Sequence, residues 1–575
     1  MKKKVIPVLL AIVLIFIIAA VAFGGKIIDK YSYSKERADL AAYFQLQKED
    51  EVAIILQDQL IEEKARIIGG TCYFDLPTVE KYFTDRFYVN KEENVLLFTT
   101  DQDVIKILIG DDSNVIYISD IGNSINYKAA LYIEDTLYIA ADYIRKYVNF
   151  SYSLFDAPMH MQVYTEWNVE HRATIKKDTK LRYRGGIKSE ILKDLSQEDQ
   201  VIILEEMETW SKVKTTDAYI GYVENEYLTD KKDAMPTAVT DAMQITYRQV
   251  AKEGTINLAF HQIFSEQGGA DLKKALKNTQ AVNVVSPTWF RLKGSQGEFT
   301  SIANQSYVQT AHEMGVDVWA LLTDVDSLQL YEEEIDYMTL MSSSENRKRL
   351  IDGLMHQVET FDLDGINIDL EHVQADAGEH FVQFLRELSI ETRRRNVVLS
   401  VDNYVPIPER AHYNIKEQGI VADYIVIMGY DWIDYVDGKK QASSNASINF
   451  VEGGIQKTKN VVSPEKIINA IPFYTRVWKS SKDGIEDSNL VMSAQDEWVR
   501  NTGVEPVWLE EYCQNYVEYE RDGKLVQCWL EDEESIRVKL QVMKVQQIAG
   551  VAEWKLGIED TKVWDVIASY VNGEM

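Results

Sequence analysis

The sequence predicts an α/β protein whose largest part, residues 230–575, is a (β/α)8 barrel with a small inserted β-rich subdomain. Three observations predict it. Eight short aliphatic segments alternate with helical stretches through this region, as in a parallel sheet covered by helices. One of them, 363–371, sets Ile366, Ile368 and Leu370 in strict alternation with Asn367, Asp369 and Glu371, so the acids share one face and the aliphatics the other. The ends of the later segments collect acids and aromatics, and strand C-termini are where such barrels carry chemistry.

In chain order, Lys2, Lys3 and Lys4 precede the uncharged run 5–23. Its length is near the ~20 residues a membrane-spanning helix needs, and flanking lysines hold the N-terminus in the cytoplasm. Residues 1–30 are therefore expected to be a cytoplasmic stub and a membrane anchor. A signal peptide cleaved after Ala22, at Ala20-Val21-Ala22, is the competing reading. Either way the bulk is exported: it faces the cell wall from the cell membrane, or is secreted if cleaved.

Residues 31–168 hold β-branched strands and an internal repeat at an offset of 65. Thr71-Cys72-Tyr73-Phe74 runs into 79–83 as Thr136-Leu137-Tyr138-Ile139 runs into 144–148, which is a repeated small α+β unit. Residues 169–229 carry short strands at close spacing, 179–182, 201–206, 210–214 and 220–223, broken by Gly185-Gly186 and acidic turns, as in a small β-barrel. In 230–575 the strands are 256–260, 281–286, 316–322, 363–371, 397–401, 424–428, 467–471 and 550–554. The long gap before the last holds a hairpin signal at Asp522-Gly523, read as an inserted β-rich subdomain.

Composition narrows the function classes. A net charge of −30 over 575 residues excludes nucleic acid as the partner, because phosphate contact needs clustered cations. Three cysteines, Cys72, Cys513 and Cys528, leave at least one thiol unpaired within the chain, and a Cys513–Cys528 bridge stays open. No metal-ligand spacing links them, and no phosphate loop is present, so no metal and no cofactor is expected.

The strand ends give the candidate site. The fourth strand ends in Asp369 and Glu371, the sixth in Met428-Gly429-Tyr430-Asp431, the seventh in Tyr474-Thr475-Arg476, and the eighth in Trp554. Sugars suit such a set: rings stack on aromatics, hydroxyls bond carboxylates and arginine, and an acid protonates the leaving oxygen. Trp289 and Asp402 are further candidate sugar contacts.

Asp364-Gly365-Ile366-Asn367-Ile368-Asp369-Leu370-Glu371, with Met428-Gly429-Tyr430-Asp431 and Trp554, resembles glycoside hydrolase family 18 over about residues 235–572. The segments at 286–290, 472–478 and 550–559 are most like the branch of spore-cortex and cell-wall N-acetylglucosaminidases. Residues 169–229 resemble a bacterial SH3 domain, whose members often bind cell-wall peptide. Residues 31–168 resemble, more loosely, the copper-amine-oxidase N-terminal-like domain, which here implies a spacer and no copper chemistry.

The resemblance implies a TIM barrel acting on N-acetylglucosamine-containing polysaccharide, peptidoglycan or chitin-like, without a second carboxylate as nucleophile. It implies Glu371 as general acid, Asp369 as the group orienting the substrate acetamide, Tyr430 as a donor to the acetamido oxygen, and Trp554 as the floor under the cleaved sugar. Asp431, Met428, Tyr474, Arg476 and Trp289 are then substrate contacts. Asn367 departs from the family, which usually has Asp there. As a neutral prop it implies that Asp369 ionises more readily and that the pH optimum moves. A non-catalytic, wall-binding lectin using the same barrel is the alternative.

Overall fold

The computed structural model describes residues 12–15, 17–18, 30–265, 271–325 and 334–575. The expected anchor at 5–23 lies almost wholly outside them, and among the described residues no helix is long and apolar enough to cross a membrane. The chain divides into two compact units, Met1–Phe87 with Lys106–Gln244, and Tyr88–Ile105 with Ile245–Met575.

In the first unit the internal repeat has a structural meaning. Thr71–Asp75 leads into the helix Leu76–Tyr82, and Thr136–Ala140 leads into the helix Ala141–Ile144. The two matching strands pair antiparallel with each other, Phe74 opposite Ile139, inside a seven-stranded sheet. His160 is buried and held between the carbonyls of Pro158 and Asp217, each at 2.7 Å, which leaves its ring no free nitrogen. A second seven-stranded sheet is antiparallel, ordered Ile191–Leu195, Thr179–Arg182, Ile220–Glu224, Trp210–Thr215, Gln200–Glu206, Glu170–Ile175, Leu228–Ala234. This is the expected small barrel.

The second unit contains eight parallel strands: β1 Ile256–His261, β2 Val284–Pro287, β3 Asp317–Thr323, β4 Gly365–Asp369, β5 Val398–Tyr404, β6 Tyr424–Met428, β7 Ile467–Pro472 and β8 Gly550–Trp554. Each pairs in parallel with the next, β2 with β3 through Val284↔Asp317, and β8 with β1 through Ala552↔Leu258, so the sheet closes. The barrel is the fold the alternation predicts. Ile366, Ile368 and Leu370 join the apolar layer between strands and helices. The lumen is packed by Leu258, Trp319, Leu321, Val398, Tyr424, Val426 and Ile468, with Trp319 stacked on Tyr424 at 5.3 Å.

That lumen packing explains the glycine of the fourth strand. Gly365 is the register partner of Trp319, and a Cβ there would sit 2.7 Å from the indole. Gly365→Ala should cost about 1–3 kcal/mol through overpacking. Urea unfolding checks this, and an unchanged midpoint would show that the indole can move aside.

The predicted insertion lies between β7 and β8. It is a five-stranded sheet, ordered Gly484–Val491, Tyr474–Ser481, Lys524–Trp529, Gln514–Arg521, Val507–Leu509, with a helix over Met492–Thr502. Asp522 and Gly523 both take positive φ, the two-residue turn that joins Arg521 to Lys524. The three cysteines are free thiols, so Cys513 and Cys528 are not bridged.

Tyr88–Ile105 groups with the barrel although the repeat pattern assigns it to the N-terminal region. It is held on the helices that follow β3 and β4, Ser344–Phe361 and Gly378–Arg395. Tyr88 Oη bonds His380 Nδ1 at 2.6 Å, the Gln383 amide donates to Thr99 Oγ1 at 3.0 Å, and Arg393 donates to the Asp101 carbonyl.

Candidate active site

The β4 period puts Gly365, Asn367, Asp369 and Glu371 on the lumen side in ascending order toward the strand's C-terminal rim. Asp364, at the foot of the strand, accepts from Val318 N–H and His312 Nε2, both at 2.8 Å, and so braces β3 against β4. At the rim a cleft of about 400 Å³ opens. Asp369, Glu371, Asp402, Met428, Tyr430, Asp431 and Trp554 line it, together with Phe260, Gln262, Thr288, Arg291, Thr323, Val325 and Tyr404.

Glu371 sits where β4 gives way to the loop. Its backbone N–H donates to Asp324 Oδ1 at 2.9 Å, and its carboxylate accepts a hydrogen bond from Tyr404 Oη at the end of β5. Burial raises the Glu371 pKa; the Tyr404 bond opposes the rise and the nearby Asp324 charge adds to it. Arg410 lies over the face of Tyr404, its guanidinium carbon 3.2 Å from the ring centre. Asp324 also receives the His372 N–H at 2.9 Å, the His372 ring at 3.1 Å and the Tyr337 hydroxyl at 2.5 Å. Burial would push Asp324 up, but these donors outweigh it and hold its carboxyl below the usual range.

Asp369 is buried, and its pKa is raised well above the carboxylate range by burial first, then by the Glu371, Asp402 and Asp324 charges. Asn367, fully buried beneath it, accepts from Ser400 Oγ at 2.5 Å and donates to Asp402 Oδ2 at 2.8 Å. Asp402 on β5 is itself pushed well up by burial, and its Oδ1 is buried without a hydrogen-bond partner among the described residues. The expectation was that Asn367 lets Asp369 ionise more readily than a further carboxyl at 367 would; with Asn367 in place, burial and the three neighbouring acids still raise Asp369. A carboxyl is present at this depth on the neighbouring strand, at Asp402.

The folded chain binds the Asp402 proton more readily than the unfolded chain, so this group lowers stability as pH rises above the unfolded carboxylate range. Asp402→Asn removes that contribution. The melting temperature of the variant minus that of the parent should grow more positive from about pH 4 to about pH 8. A difference independent of pH would show that Asp402 is already ionised in the fold.

Met428, Tyr430 and Trp554 converge on the cleft as the strand ends predict, and Asp431 follows in a left-handed conformation. The Trp554 ring lies 5.4 Å from Phe260 of β1. Tyr474 and Arg476 do not line the cleft. Both donate to Asp431 Oδ1, at 2.6 and 2.7 Å, and so hold that carboxylate rather than forming the wall. Trp289 is also misplaced by the sequence reading. It is fully buried between strand and helix with its ring edge-on to Tyr307 at 5.0 Å, because its position faces the helices and not the lumen. Asp324, Tyr404, Arg410 and Arg291 were missed. Each is a single polar or aromatic residue beyond a strand's apolar run, where no period marks it.

Two family models match parts of the chain. A family model described as glycosyl hydrolases family 18 matches residues 218–559, and one described as bacterial SH3 domain matches 177–229. An uncharacterized glycosylase, YvbX, of Bacillus subtilis (strain 168) is 22% identical over 304 residues, covering 50% of this chain and 84% of that protein. A cortical fragment-lytic enzyme of Bacillus anthracis is 25% identical over 233 residues, covering 38% of this chain, and the chain spans about half (53%) of that relative's length. The crystal structure of the Bacillus cereus spore cortex-lytic enzyme SleL aligns with 59% of this chain and 78% of its own at 19% identity, with a TM-score of 0.48.

Proposed function

The chain belongs to glycosyl hydrolases family 18, and from that premise we propose that it cleaves β-1,4 bonds beside N-acetylglucosamine in cell-wall glycan by substrate-assisted, retaining catalysis. One observation carries the reading. Asp369, Glu371, Tyr430 and Trp554, from three different strands, meet in one cleft with Glu371 biased toward its protonated form. Glu371 gives its proton to the glycosidic oxygen as the bond to the anomeric carbon breaks. The substrate's own acetamido oxygen attacks that carbon from the other side and forms an oxazolinium ring. Asp369 accepts the acetamide N–H and stabilises the positive charge, and Tyr430 donates to the acetamido oxygen. Water then opens the ring as Glu371 takes the proton back, and the β configuration is retained. Asp431, held by Tyr474 and Arg476, and Met428 complete the wall around the sugar, whose ring rests on Trp554.

The elevated pKa suits the first step. Glu371 must be protonated, and raising its pKa extends the pH range in which it is, with activity lost as pH rises through that value. Export, anchoring by 5–23, and attachment to wall peptide through the SH3 domain complete the proposal, with the N-terminal repeat as a spacer. The match to a cortical fragment-lytic enzyme and the presence of a bacterial SH3 domain support wall glycan over chitin. Digestion of purified peptidoglycan and of chitin oligomers, with products read by mass spectrometry, tests it. Fragments ending in reducing N-acetylglucosamine are expected from peptidoglycan. Products from chitin and none from peptidoglycan would overturn the choice of polymer.

A further inference from the structure

Arg291 has no task in the mechanism. It lies on the short strand Phe290–Lys293, which extends the sheet beside β3. The register runs Arg291 opposite Thr323, and Thr323 opposite Asp369, so Arg291 shares the lumen side with the catalytic acids. Two strand spacings put its backbone about 10 Å from that of Asp369. That distance suits a sugar adjoining the one held on Trp554, rather than the cleaved sugar itself.

The charge at this position is unusual. Arg291 is 8% exposed, lines the cleft, and is the one cation among the described residues that do so. Four carboxylates, Asp369, Glu371, Asp402 and Asp431, share the cleft, yet among the described residues none is in ion-pair contact with Arg291; Asp431 is taken by Arg476. Its Nη2 donates to the Ile263 carbonyl at 2.9 Å. Thr288 Oγ1 already holds both the N–H and the carbonyl of Ile263, so bracing that loop does not require a guanidinium. A guanidinium so buried, with no carboxylate partner among the described residues, has a forked array of donors left for an anion.

Chitin offers no anion. Peptidoglycan does: the muramic acid on either side of each N-acetylglucosamine carries a lactyl group at its 3-oxygen. That group ends in a carboxylate only when no stem peptide is joined to it, because the peptide link turns the carboxyl into an amide. We propose that Arg291 is a subsite for the free lactyl carboxylate of a muramic acid next to the N-acetylglucosamine being cleaved, so that the substrate is glycan already stripped of peptide. A reaction hydrolysing the muramoyl–peptide amide must then precede this one. The proposal rests on the reading of the chain as a wall-glycan hydrolase.

The test uses the full chain and three substrates: peptide-free glycan strands, the same strands with the lactyl carboxyls capped as methyl amides, and chitin oligomers. The parent is expected to prefer uncapped over capped strands in kcat/KM by about 10- to 100-fold, the worth of a charge-assisted pair. Arg291→Gln should collapse that ratio toward one, and Arg291→Lys should restore part of it. Equal rates on capped and uncapped strands by the parent would overturn the subsite, whatever the variants do. A fall by the same factor on all substrates in Arg291→Gln would do so too, by assigning Arg291 to structure. If the parent cuts chitin oligomers but neither kind of strand, the wall-glycan reading itself fails, and that outcome is distinct from loss of the subsite alone.

Discussion

Glu371→Gln should leave the chain folded and able to bind oligosaccharide while kcat falls by about 10²–10⁴-fold, the contribution of a placed general acid. The amide keeps the size of the side chain and can still meet Tyr404 Oη, so the cleft's shape is preserved. What it loses is the proton. The parent's rate should decline as pH rises through the raised Glu371 pKa, and the variant's residual rate should show no such limb. Reducing-end release across pH, with oligosaccharide affinity measured on the same preparations, checks both. A variant that keeps parental rates would remove Glu371 from the chemistry. A parent that binds but never cleaves would leave a sugar-binding barrel.

Asp369→Asn has the next largest expected effect, about 10²–10³-fold in kcat with a small change in KM. Its role lies after binding, when positive charge forms on the oxazolinium ring, and groups aimed at developing charge act chiefly on kcat. Asn can still touch the acetamide but cannot carry the opposing negative charge. In the free protein Asp369 is held toward its neutral form by burial and by the neighbouring carboxylates. A cationic ring forming beside it favours the ionised form, the proton passing to solvent water as the charge develops. Steady-state kinetics on an N-acetylglucosamine oligomer separates the two parameters. A rise in KM with unchanged kcat would make Asp369 a binding group only.

Much of this site is legible in the sequence because a barrel strand has two unlike faces. On β4 the helix side must be apolar and the lumen side at the rim need not be, so Asn367, Asp369 and Glu371 stand out from Ile366, Ile368 and Leu370. The same rule places Tyr430 and Trp554 at strand ends. It fails where one side chain must be assigned to a face without a period around it. Trp289 reads as a sugar platform yet faces Tyr307 in the outer core, and Tyr474 and Arg476 reach Asp431 instead of the cleft. It also cannot see across strands. Asp402 meets Asn367, and Arg291 aligns with Asp369, only through register that no single segment contains. The repeat at 71 and 136 was visible as similarity, but the antiparallel pairing of its two copies was not.

The measurement that bears most directly on the central claim is the anomeric configuration of the first product. Proton NMR followed during hydrolysis of an N-acetylglucosamine oligomer should show the β anomer of the new reducing end before mutarotation supplies the α anomer. An α anomer appearing first would mean inversion by a directly attacking water, and would contradict the substrate-assisted route through Glu371 and Asp369.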